Sequence, residues 1–367
     1  KKPAQVVNFV QEWCPVAPSL GKMPEESAGR SVPDLTQRSA SQSSQLSSQP
    51  SPQQAPLHSS LLLAPSLTNS SASYYWQPQS EVELQLLLQK YPQARLVAGG
   101  TDLMLEVTQQ YKQLPELIDV TAVPSLQQIE LNQEEISIGA AVCYSHLEKT
   151  LAQLSPQFVT LLGRLGSRQI RNRGTLGGNI CNASPIADSP PYLLALDAEI
   201  VIVNAQGETR REPLAHFYRG YKQTSLERGE YLARICIKRE QLAQPLRLFK
   251  ISKRYEDDIS AVMGAFHWNG ADKFKIAFGG MAAIPKRASK TEIFLSENTW
   301  CDAGIVKEQI IEQACALLRS EFSPLSDVRA SAQYRLAMAC NLLKKSCYEF
   351  ATQAAGSASA PRLFAHA

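Results

Sequence analysis

The sequence predicts an α+β protein that consists of two folded domains. Its 367 residues are enough for two or three domains. Short strand-like and helix-like segments alternate over residues 74–243, whereas residues 245–350 start with three strand-like segments and end with two helix-like ones. Strands followed by helices are typical of a separate α+β domain. We therefore expect a first domain at 74–243 and a second, smaller domain at 245–350.

The two ends of the chain have the composition of flexible polypeptide. Ser, Gln and Pro make up more than half of residues 31–73, and such a segment buries too little apolar surface to offset the entropy lost on folding. The final stretch is rich in Ala and Ser. We expect a disordered linker or connector over residues 1–73 and a flexible tail over residues 351–367.

Charge and cysteine content limit the possible functions. A net charge of +3 is too small to indicate a nucleic-acid surface, and no apolar run approaches the roughly 18 residues that span a bilayer. None of the eight cysteines sits at C-x-x-C spacing, which argues against the usual zinc ribbons and plant-type iron–sulfur loops. Scattered thiols are typical of a reducing compartment. We therefore predict a cytoplasmic protein with no nucleic-acid or membrane contacts and no metal site of its own.

Helix start signals place the helices of the first domain. Residues 80–83 form a capping box ahead of a helix that Pro92 ends. Residues 145–148 form a second capping box, and Ser155 followed by Pro156 is a third start signal.

Strand-like segments alternate with these helices. They lie at residues 95–98, 117–120, 129–131, 136–140, 198–203 and 208–212. The last two flank Ala205-Gln206-Gly207, which predicts a hairpin. Residues 172–189 precede this hairpin, are rich in Gly, Asn and Ser, and are expected to form a loop.

The second domain has a simpler pattern. Its strand-like segments occupy residues 247–253, 260–268 and 273–279, and its helix-like segments occupy residues 303–320 and 326–350. These two groups supply the sheet and the helices of the predicted second domain.

The first candidate binding segment is Leu96-Val-Ala-Gly-Gly-Thr-Asp-Leu103, in which a strand runs into two glycines and a threonine. Glycine permits close backbone approach, and backbone N–H groups together with a Thr hydroxyl can hold phosphate oxygens. Taken alone, the segment is also compatible with an ordinary strand-to-helix turn. Its spacing differs from G-x-G-x-x-G, which argues against a Rossmann dinucleotide site.

The second candidate is Gly174-Thr-Leu-Gly-Gly-Asn-Ile-Cys-Asn-Ala-Ser-Pro-Ile-Ala-Asp188, which follows Arg171 and Arg173. A stretch with many hydrogen-bond donors and little side-chain bulk suits a ligand that carries a diphosphate. Long loops inside a compact domain are usually functional, so ligand binding is favoured over a purely structural loop. Asp188 is available to accept from a sugar hydroxyl.

Two further segments leave the interpretation open. The charged run 250–259 is compatible with a solvated face and with a loop at the mouth of a site. Residues 216–224, with aromatic side chains around Gly220, favour a packed aromatic corner when taken alone. The sequence contains no nucleophilic triad, H-E-x-x-H motif or P-loop, so we predict no catalytic side chain and expect a cofactor to supply any chemistry.

In this order, the segments 96–103, 174–188, 217–224 and 256–259 resemble the FAD-binding subunits or domains of molybdenum hydroxylases, most closely the xanthine dehydrogenase branch. The segment 174–188 is the most specific part of the resemblance, and residues 327–335 also resemble the start of the family's last helix. The resemblance implies an α+β fold: a two-lobed FAD-binding domain of the molybdopterin dehydrogenase type, followed by a small α+β C-terminal domain.

The resemblance also implies which residues hold FAD. Residues 95–103 would surround the diphosphate, a second phosphate-binding stretch would follow, and Asp188 would lie near the ribityl or sugar hydroxyls. Tyr221 and Asp257 match positions that contact or guard NAD⁺ beside the isoalloxazine ring. The residues matched to FAD contacts are Arg95, Leu96, Val97, Ala98, Gly99, Gly100, Thr101, Asp102, Leu103, Leu165, Thr175, Gly177, Gly178, Asn179, Asp188, Leu232 and Lys250.

In function, the resemblance implies the FAD-carrying electron-transfer part of an oxidoreductase of purine catabolism. Electrons would arrive from a molybdopterin centre through 2Fe-2S clusters and leave as hydride to NAD⁺. The cysteine motifs of the family's iron–sulfur domain are missing from this sequence. The iron–sulfur and molybdopterin-binding parts would therefore be partner domains or chains of a hetero-oligomer, with residues 1–73 as the connector after the missing iron–sulfur domain. Two alternatives stay open: a flavin subunit that uses quinone or oxygen, and a non-catalytic scaffold subunit.

Overall fold

The computed structural model of the protein describes residues 73–270 and 273–356. The linker predicted for residues 1–73 lies outside the described residues, apart from its last residue. Residues 357–367 of the predicted tail lie outside them as well. No helix in the described part combines the length and apolarity needed to cross a membrane.

The described residues form helices and strands in a mixed order. The helices are α1 (Glu81–Lys90), α2 (Leu103–Thr108), α3 (Tyr144–Thr150), α4 (Pro156–Leu162), α5 (Arg168–Arg173), α6 (Leu176–Cys181), α7 (Ser189–Ala195), α8 (Leu214–Phe217), α9 (Arg239–Leu242), α10 (Ser289–Glu297), α11 (Glu308–Glu321) and α12 (Ala332–Ala354). The strands are β1 (Tyr74–Trp76), β2 (Arg95–Val97), β3 (Glu116–Asp119), β4 (Ile129–Leu131), β5 (Glu135–Gly139), β6 (Glu199–Val203), β7 (Thr209–Pro213), β8 (Tyr218–Gly220), β9 (Gln223–Thr224), β10 (Tyr231–Lys238), β11 (Leu246–Ile251), β12 (Val262–Trp268), β13 (Phe274–Gly279), β14 (Lys286–Arg287), β15 (Cys301–Asp302) and β16 (Ile305–Val306).

The first lobe is built on a parallel three-stranded sheet in the order β1-β3-β2. Helix α1 buries Leu84 and Leu88 in a core shared with β3. The predicted helix start at Ser80 is confirmed, because the Ser80 hydroxyl accepts from the Glu83 N–H at 3.2 Å. The Glu83 carboxylate accepts from the Gln79 N–H at 2.8 Å instead of the Ser80 N–H that a complete capping box uses. Strand β2 of this sheet leads directly into the first glycine segment.

The second lobe is an antiparallel sheet in the order β4-β5-β10-β6-β7. The predicted hairpin between β6 and β7 is confirmed. The central strand of this five-stranded sheet, β10, has no counterpart among the predicted strands. Residues 231–237 of β10 are buried or nearly so, and this continuous burial replaces the alternation that marks a half-exposed strand.

The C-terminal domain contains an antiparallel sheet in the order β11-β12-β13-β14, with α11 and α12 packed on it. The three predicted strands are confirmed. Both predicted helices start later than expected, because residues 301–306 form the small hairpin β15–β16 and α12 begins at Ala332. Helix α12 also continues to Ala354, four residues into the predicted flexible tail, since Phe350 and Ala351 are buried in this domain's core.

Two expectations for the middle of the chain are wrong. Residues 172–189 are not one loop, because α5 ends at Arg173, α6 occupies Leu176–Cys181 and α7 starts at Ser189. Helix α3 starts at Tyr144, so Ser145 lies inside the helix, where its hydroxyl donates to the Asn172 side chain.

Helix α7 connects the second lobe to the C-terminal domain. All of its residues are buried, and it packs against β12 and β13 while it shares the core of the second lobe. Asp188, the residue before this helix, therefore lies where the two domains meet.

Candidate cofactor-binding site

The first glycine segment forms a tight turn between β2 and α2. Gly100 has φ +71°, a left-handed conformation that favours glycine. Val97 is buried, whereas Arg95 is exposed and its guanidinium lies 2.9 Å from the Glu106 carboxylate. Asp102 precedes α2, and its carboxylate makes no cap hydrogen bond.

The second glycine segment is a turn followed by the short helix α6. The Thr175 hydroxyl accepts from the Gly178 N–H at 3.0 Å and so caps this helix. Gly177 packs against Ala140, and a Cβ at Gly177 would lie 2.7 Å from the Ala140 Cα. Gly177 therefore serves backbone packing, while the exposed Gly178 leaves the outer side of the turn without side-chain bulk.

The structure brings the two glycine segments into direct contact. A Cβ at Gly99 would lie 2.6 Å from the Arg173 carbonyl carbon and 2.8 Å from the Gly174 Cα. A Cβ at Gly174 would lie 3.5 Å from the Thr101 hydroxyl oxygen. The resemblance required this convergence, because two turns can hold one diphosphate only if they face the same space.

A third element reaches the same place. The hairpin β8–β9 carries Tyr221 and Lys222 at its turn, and Lys222 has φ +51°. The Lys222 ammonium lies 4.0 Å from the Asp102 carboxylate and 3.5 Å from the Asn182 amide oxygen. The hairpin therefore lies beside both glycine segments, with the Tyr221 side chain 63% exposed.

Asp188 and Lys250 form a buried ion pair, with 2.7 Å between the Lys250 ammonium and the Asp188 carboxylate. The Ser260 hydroxyl donates to the other carboxylate oxygen, and the Lys250 ammonium also donates to the Arg164 carbonyl at 3.0 Å. Because an ionised carboxylate has about four acceptor positions, Asp188 retains acceptor capacity for a ligand hydroxyl. Its contact with the ribityl or sugar hydroxyls stays a prediction.

Arg164 ties the charged loop 252–260 to the second lobe. Its guanidinium donates to the Lys250 carbonyl at 2.9 Å and to the Tyr255 carbonyl at 3.0 Å, and it lies 4.5 Å from the Tyr255 ring centroid. Asp257 is exposed on this loop with φ +47°. The contacts of Arg164 therefore fix this exposed loop next to Lys250. This arrangement favours the interpretation of the charged run as a loop at the mouth of a site.

Leu165 and Leu232 occupy less exposed places. Leu232 is 5% exposed in β10 and belongs to the core of the second lobe. Leu165 is partly buried against the same core, just before Gly166, which has φ +58°. Their contacts with flavin stay predictions.

Sequence reasoning did not single out several polar residues of this region. Tyr144 is buried, and its hydroxyl lies 2.8 Å from the Ser189 hydroxyl, next to Asp188. Burial raises the pKa of the Tyr144 hydroxyl far above its usual value, so it stays protonated. Tyr144, Arg164 and Ser260 carry no local motif, and only the fold brings them to the site. Lys222 lies within the segment 216–224 but had no role of its own there.

The residues at this place fit the FAD that the resemblance implies. The contact of Gly99 with Arg173 leaves a cradle of bare backbone, which suits the close approach of a diphosphate. The Asn179 amide oxygen and the Tyr218 hydroxyl are buried and have no hydrogen-bond partner in the described part of the chain. Buried polar atoms are normally paired, so two orphaned atoms indicate groups that a ligand or water satisfies.

Two family models match the chain. The FAD binding domain in molybdopterin dehydrogenase matches residues 68–237, and the CO dehydrogenase flavoprotein C-terminal domain matches residues 247–350. Together the two matches cover well over half of the chain, and they confirm the resemblance found in the sequence.

Curated relatives match over a limited part of their own length. Xanthine dehydrogenase 1 of Arabidopsis thaliana is 29% identical over 266 residues, which are 67% of this chain and 19% of that protein. Xanthine dehydrogenase of Oryza sativa subsp. japonica is 31% identical over 236 residues, which are 59% of this chain and 17% of that protein. The chain thus spans about a fifth of the length of the curated relatives it matches.

Solved structures share the fold over almost a whole chain. Carbon monoxide dehydrogenase from Hydrogenophaga pseudoflava superposes with a TM-score of 0.68 at 25% identity, covering 75% of this chain and 95% of that one. Quinoline 2-oxidoreductase from Pseudomonas putida 86 superposes with a TM-score of 0.68 at 26% identity, covering 79% and 100%. The likeness therefore extends through both domains and confirms the predicted fold class.

Proposed function

Because the chain belongs to the FAD-binding flavoprotein family of the molybdopterin dehydrogenases, we propose that it is the FAD-carrying electron-transfer part of a xanthine dehydrogenase-like oxidoreductase. The observation that carries this proposal is the contact between the two glycine segments at Gly99 and Arg173. Backbone N–H groups of both segments and the Thr101 hydroxyl would hold the FAD diphosphate there. Asp188, Lys250 and Asn179 would supply the polar contacts further along the cofactor.

FAD supplies the redox chemistry when bound, since no side chain of this chain is predicted to carry a chemical step. The residues of the chain hold, orient and shield the cofactor. The buried pair Asp188–Lys250 supplies a fixed acceptor and a fixed donor, and the core position of Leu232 keeps water out.

We propose NAD⁺ as the electron acceptor, approaching beside Tyr221 and Asp257. The exposure of the Tyr221 ring, on a hairpin next to the first glycine segment, supports this role because an exposed ring can pack against a nicotinamide.

The rest of the enzyme is also part of the proposal. Because the chain spans about a fifth of its curated relatives, we propose that a molybdopterin-binding part and a 2Fe-2S part reside on partner domains or chains in a hetero-oligomer. Electrons from purine oxidation would then reach this chain through the iron–sulfur clusters. We propose a cytoplasmic location, which the free thiols of the seven described cysteines support and cell fractionation would test.

The first experiment is a titration of the full chain with FAD, followed by absorbance. We expect flavin bands at one FAD per chain. In the second step, the bound flavin is reduced with dithionite and mixed separately with NAD⁺, a quinone and oxygen. Rapid reoxidation by NAD⁺ with formation of NADH supports the proposal. If only quinone or oxygen reoxidises the flavin, that compound is the electron acceptor and the proposal of NAD⁺ is wrong. If the chain binds no flavin, the alternative of a non-catalytic scaffold subunit is supported.

A further inference from the structure

We propose that Arg335, from helix α12 of the C-terminal domain, is a positioning residue of the cofactor site, and this inference rests on the proposed function. The guanidinium of Arg335 fixes the two strand ends that hold the segment 185–188. The C-terminal domain thereby sets the geometry of a site whose predicted ligands come mainly from the other domain.

The Arg335 side chain is 2% exposed and joins three partners. One terminal nitrogen donates to the carbonyls of Ala261 and Gly280, the latter at 3.1 Å. The other terminal nitrogen donates to the Asp327 carboxylate at 2.7 Å. Ala261 precedes β12 and Gly280 follows β13, so one nitrogen links adjacent ends of two paired antiparallel strands.

Both strand ends continue directly to the cofactor site. Ser260, next to Ala261, donates its hydroxyl to the Asp188 carboxylate. The Gly280 N–H donates to the Pro185 carbonyl at 2.7 Å. Arg335 therefore fixes the two groups that hold the beginning and the end of the segment 185–188.

The local backbone leaves this arrangement little freedom. Gly280 has φ +81°, and a Cβ there would lie 2.9 Å from the Arg335 terminal nitrogen. Strand β13 also approaches the same segment, since a Cβ at Gly279 would lie 3.1 Å from the Ala187 carbonyl oxygen. A displacement of the guanidinium would thus move the strand ends and the segment together.

Burying the charged arginine side chain between two strands carries a large desolvation penalty. Desolvation of a guanidinium is unfavourable unless several good hydrogen bonds compensate it, and an apolar residue of similar volume often stabilises a core equally well. What arginine adds is a rigid planar group with donors in fixed directions, which lysine does not provide. That property is required if the role of the side chain is to fix carbonyl positions.

The experiment uses the full chain with Arg335→Met and, as the conservative replacement, Arg335→Lys. The matched control is Arg247→Met, because Arg247 also joins the sheet to α12, through a 2.6 Å ion pair with Glu349, but has no contact with the segment 185–188. The apo chains are compared in thermal unfolding, in FAD titration and in amide hydrogen exchange of a peptide that covers residues 184–189.

For Arg335→Met we expect FAD to bind at least about tenfold more weakly, which corresponds to the loss of one charge-assisted hydrogen bond. Exchange over residues 184–189 should increase, and Arg335→Lys should fall between this variant and the wild type. Arg247→Met should lower the unfolding temperature while it changes FAD affinity by less than about twofold, since it leaves the hydrogen bonds of the cofactor site intact.

A folded Arg335→Met with wild-type FAD affinity and wild-type exchange overturns the inference, as does an equal loss of affinity in Arg247→Met. If Arg335→Met does not fold, the inference is tested with Arg335→Lys and Gly280→Ala instead. The same two measurements, FAD affinity and amide exchange over residues 184–189, are then compared with the wild type. A wild-type chain that binds no FAD overturns the proposed function instead. Exchange over residues 184–189 then shows separately whether Arg335 orders this segment.

Discussion

Gly99 lies so close to the backbone of Arg173 that no side chain fits between the two residues. A Cβ at Gly99 would lie 2.6 Å from the Arg173 carbonyl carbon, a separation that real Cβ atoms essentially never show. The two residues belong to the two segments that are proposed to hold one diphosphate. Their contact therefore sets the width of the proposed site.

We predict that Gly99→Ala separates the two glycine segments and weakens FAD binding at least tenfold. The added methyl group meets rigid backbone, and such overpacking typically costs about 1–3 kcal/mol. FAD titration of the apo variant measures the affinity, and circular dichroism confirms that the variant is folded.

The matched control for this change is Gly163→Ala. Gly163 has φ −56° at the end of α4, and a Cβ there would lie 3.3 Å from the Thr160 carbonyl oxygen and 3.9 Å from the Val159 carbonyl oxygen. We expect wild-type FAD affinity for this control. Equal affinity of the Gly99→Ala variant and the wild type would contradict the proposed position of the diphosphate.

Lys250→Met should destabilise the protein strongly, because it leaves the Asp188 carboxylate buried without its counter-ion. Removing one partner of a buried ion pair typically costs about 3–5 kcal/mol. The double variant Asp188→Asn with Lys250→Met should recover a large part of this loss, since no buried charge remains. Urea unfolding of the apo chains measures the free energy of unfolding.

The control for the buried pair is the exposed pair between Lys344 and Glu312. Surface ion pairs contribute about 0–1 kcal/mol, so Lys344→Met should change the unfolding free energy little. Similar losses for Lys250→Met and Lys344→Met would show that Asp188 is solvated in solution.

The glycine segments were predictable because their signal is local. Gly99 stands next to Gly100 and Gly177 next to Gly178 in the sequence, and the absence of side chains has a direct physical meaning. The contact between the two segments was also expected, since both were assigned to one diphosphate. The sequence does not reveal which residue packs against each glycine, such as Ala140 against Gly177.

Helix α6 shows where local propensity misleads. Residues 176–181 contain two glycines and an asparagine, which are poor helix formers, so a loop was the natural prediction. The Thr175 cap and the packing of Gly177 against Ala140 outweigh this propensity. Tertiary contacts of this kind have no signature in a single sequence.

The polar network was not predictable, because its members are distant along the chain. Lys250 and Asp188 are separated by 62 residues, and Arg335 and Ala261 by 74. Family resemblance assigned Asp188 and Lys250 separately to the cofactor, but it did not pair them. Arg335 had no assigned role, and only the register of β12 against β13 gives it one.

Tyr221→Ala should impair the transfer of electrons to NAD⁺ without reducing FAD content. The ring is 63% exposed, so its removal costs little stability, but it deprives the nicotinamide of a packing surface. In the assembled enzyme we expect the rate of NAD⁺ reduction to fall roughly tenfold, the size of one aromatic contact of about 1–1.5 kcal/mol, while dye reduction is retained.

The control for this prediction is Tyr111→Ala. Tyr111 is 81% exposed and follows α2, on another surface turn of the first lobe. Both acceptor activities should stay at the wild-type level in this variant. If Tyr221→Ala lowers NAD⁺ and dye reduction equally, the residue supports the cofactor rather than the acceptor.

His267 should make the stability of the C-terminal domain depend on pH. It is 1% exposed in β12, and its Nε2 donates to the Gln241 carbonyl at 2.9 Å, since a carbonyl can only accept. Its Nδ1 has no hydrogen-bond partner within the described residues. Burial lowers the pKa of this imidazole below its usual value, against the opposing influence of the hydrogen bond to the Gln241 carbonyl and of the Asp197 charge. The charges of Lys275 and Arg287 add to the lowering.

The sign of the pH dependence follows from this lowered pKa. Below the ordinary pKa of about 6.5 the unfolded chain binds a proton that the folded chain does not, so stability falls as the pH decreases through this range. The loss is at most about 1.4 kcal/mol per pH unit for one proton, and it ends once the pH lies below the folded-state pKa. Urea unfolding of the wild type and of His267→Gln at several pH values below neutrality measures the difference. We expect a smaller pH slope for His267→Gln and an unchanged slope for the exposed control His216→Gln, whereas equal slopes in all three proteins would show that His267 is protonated in the fold.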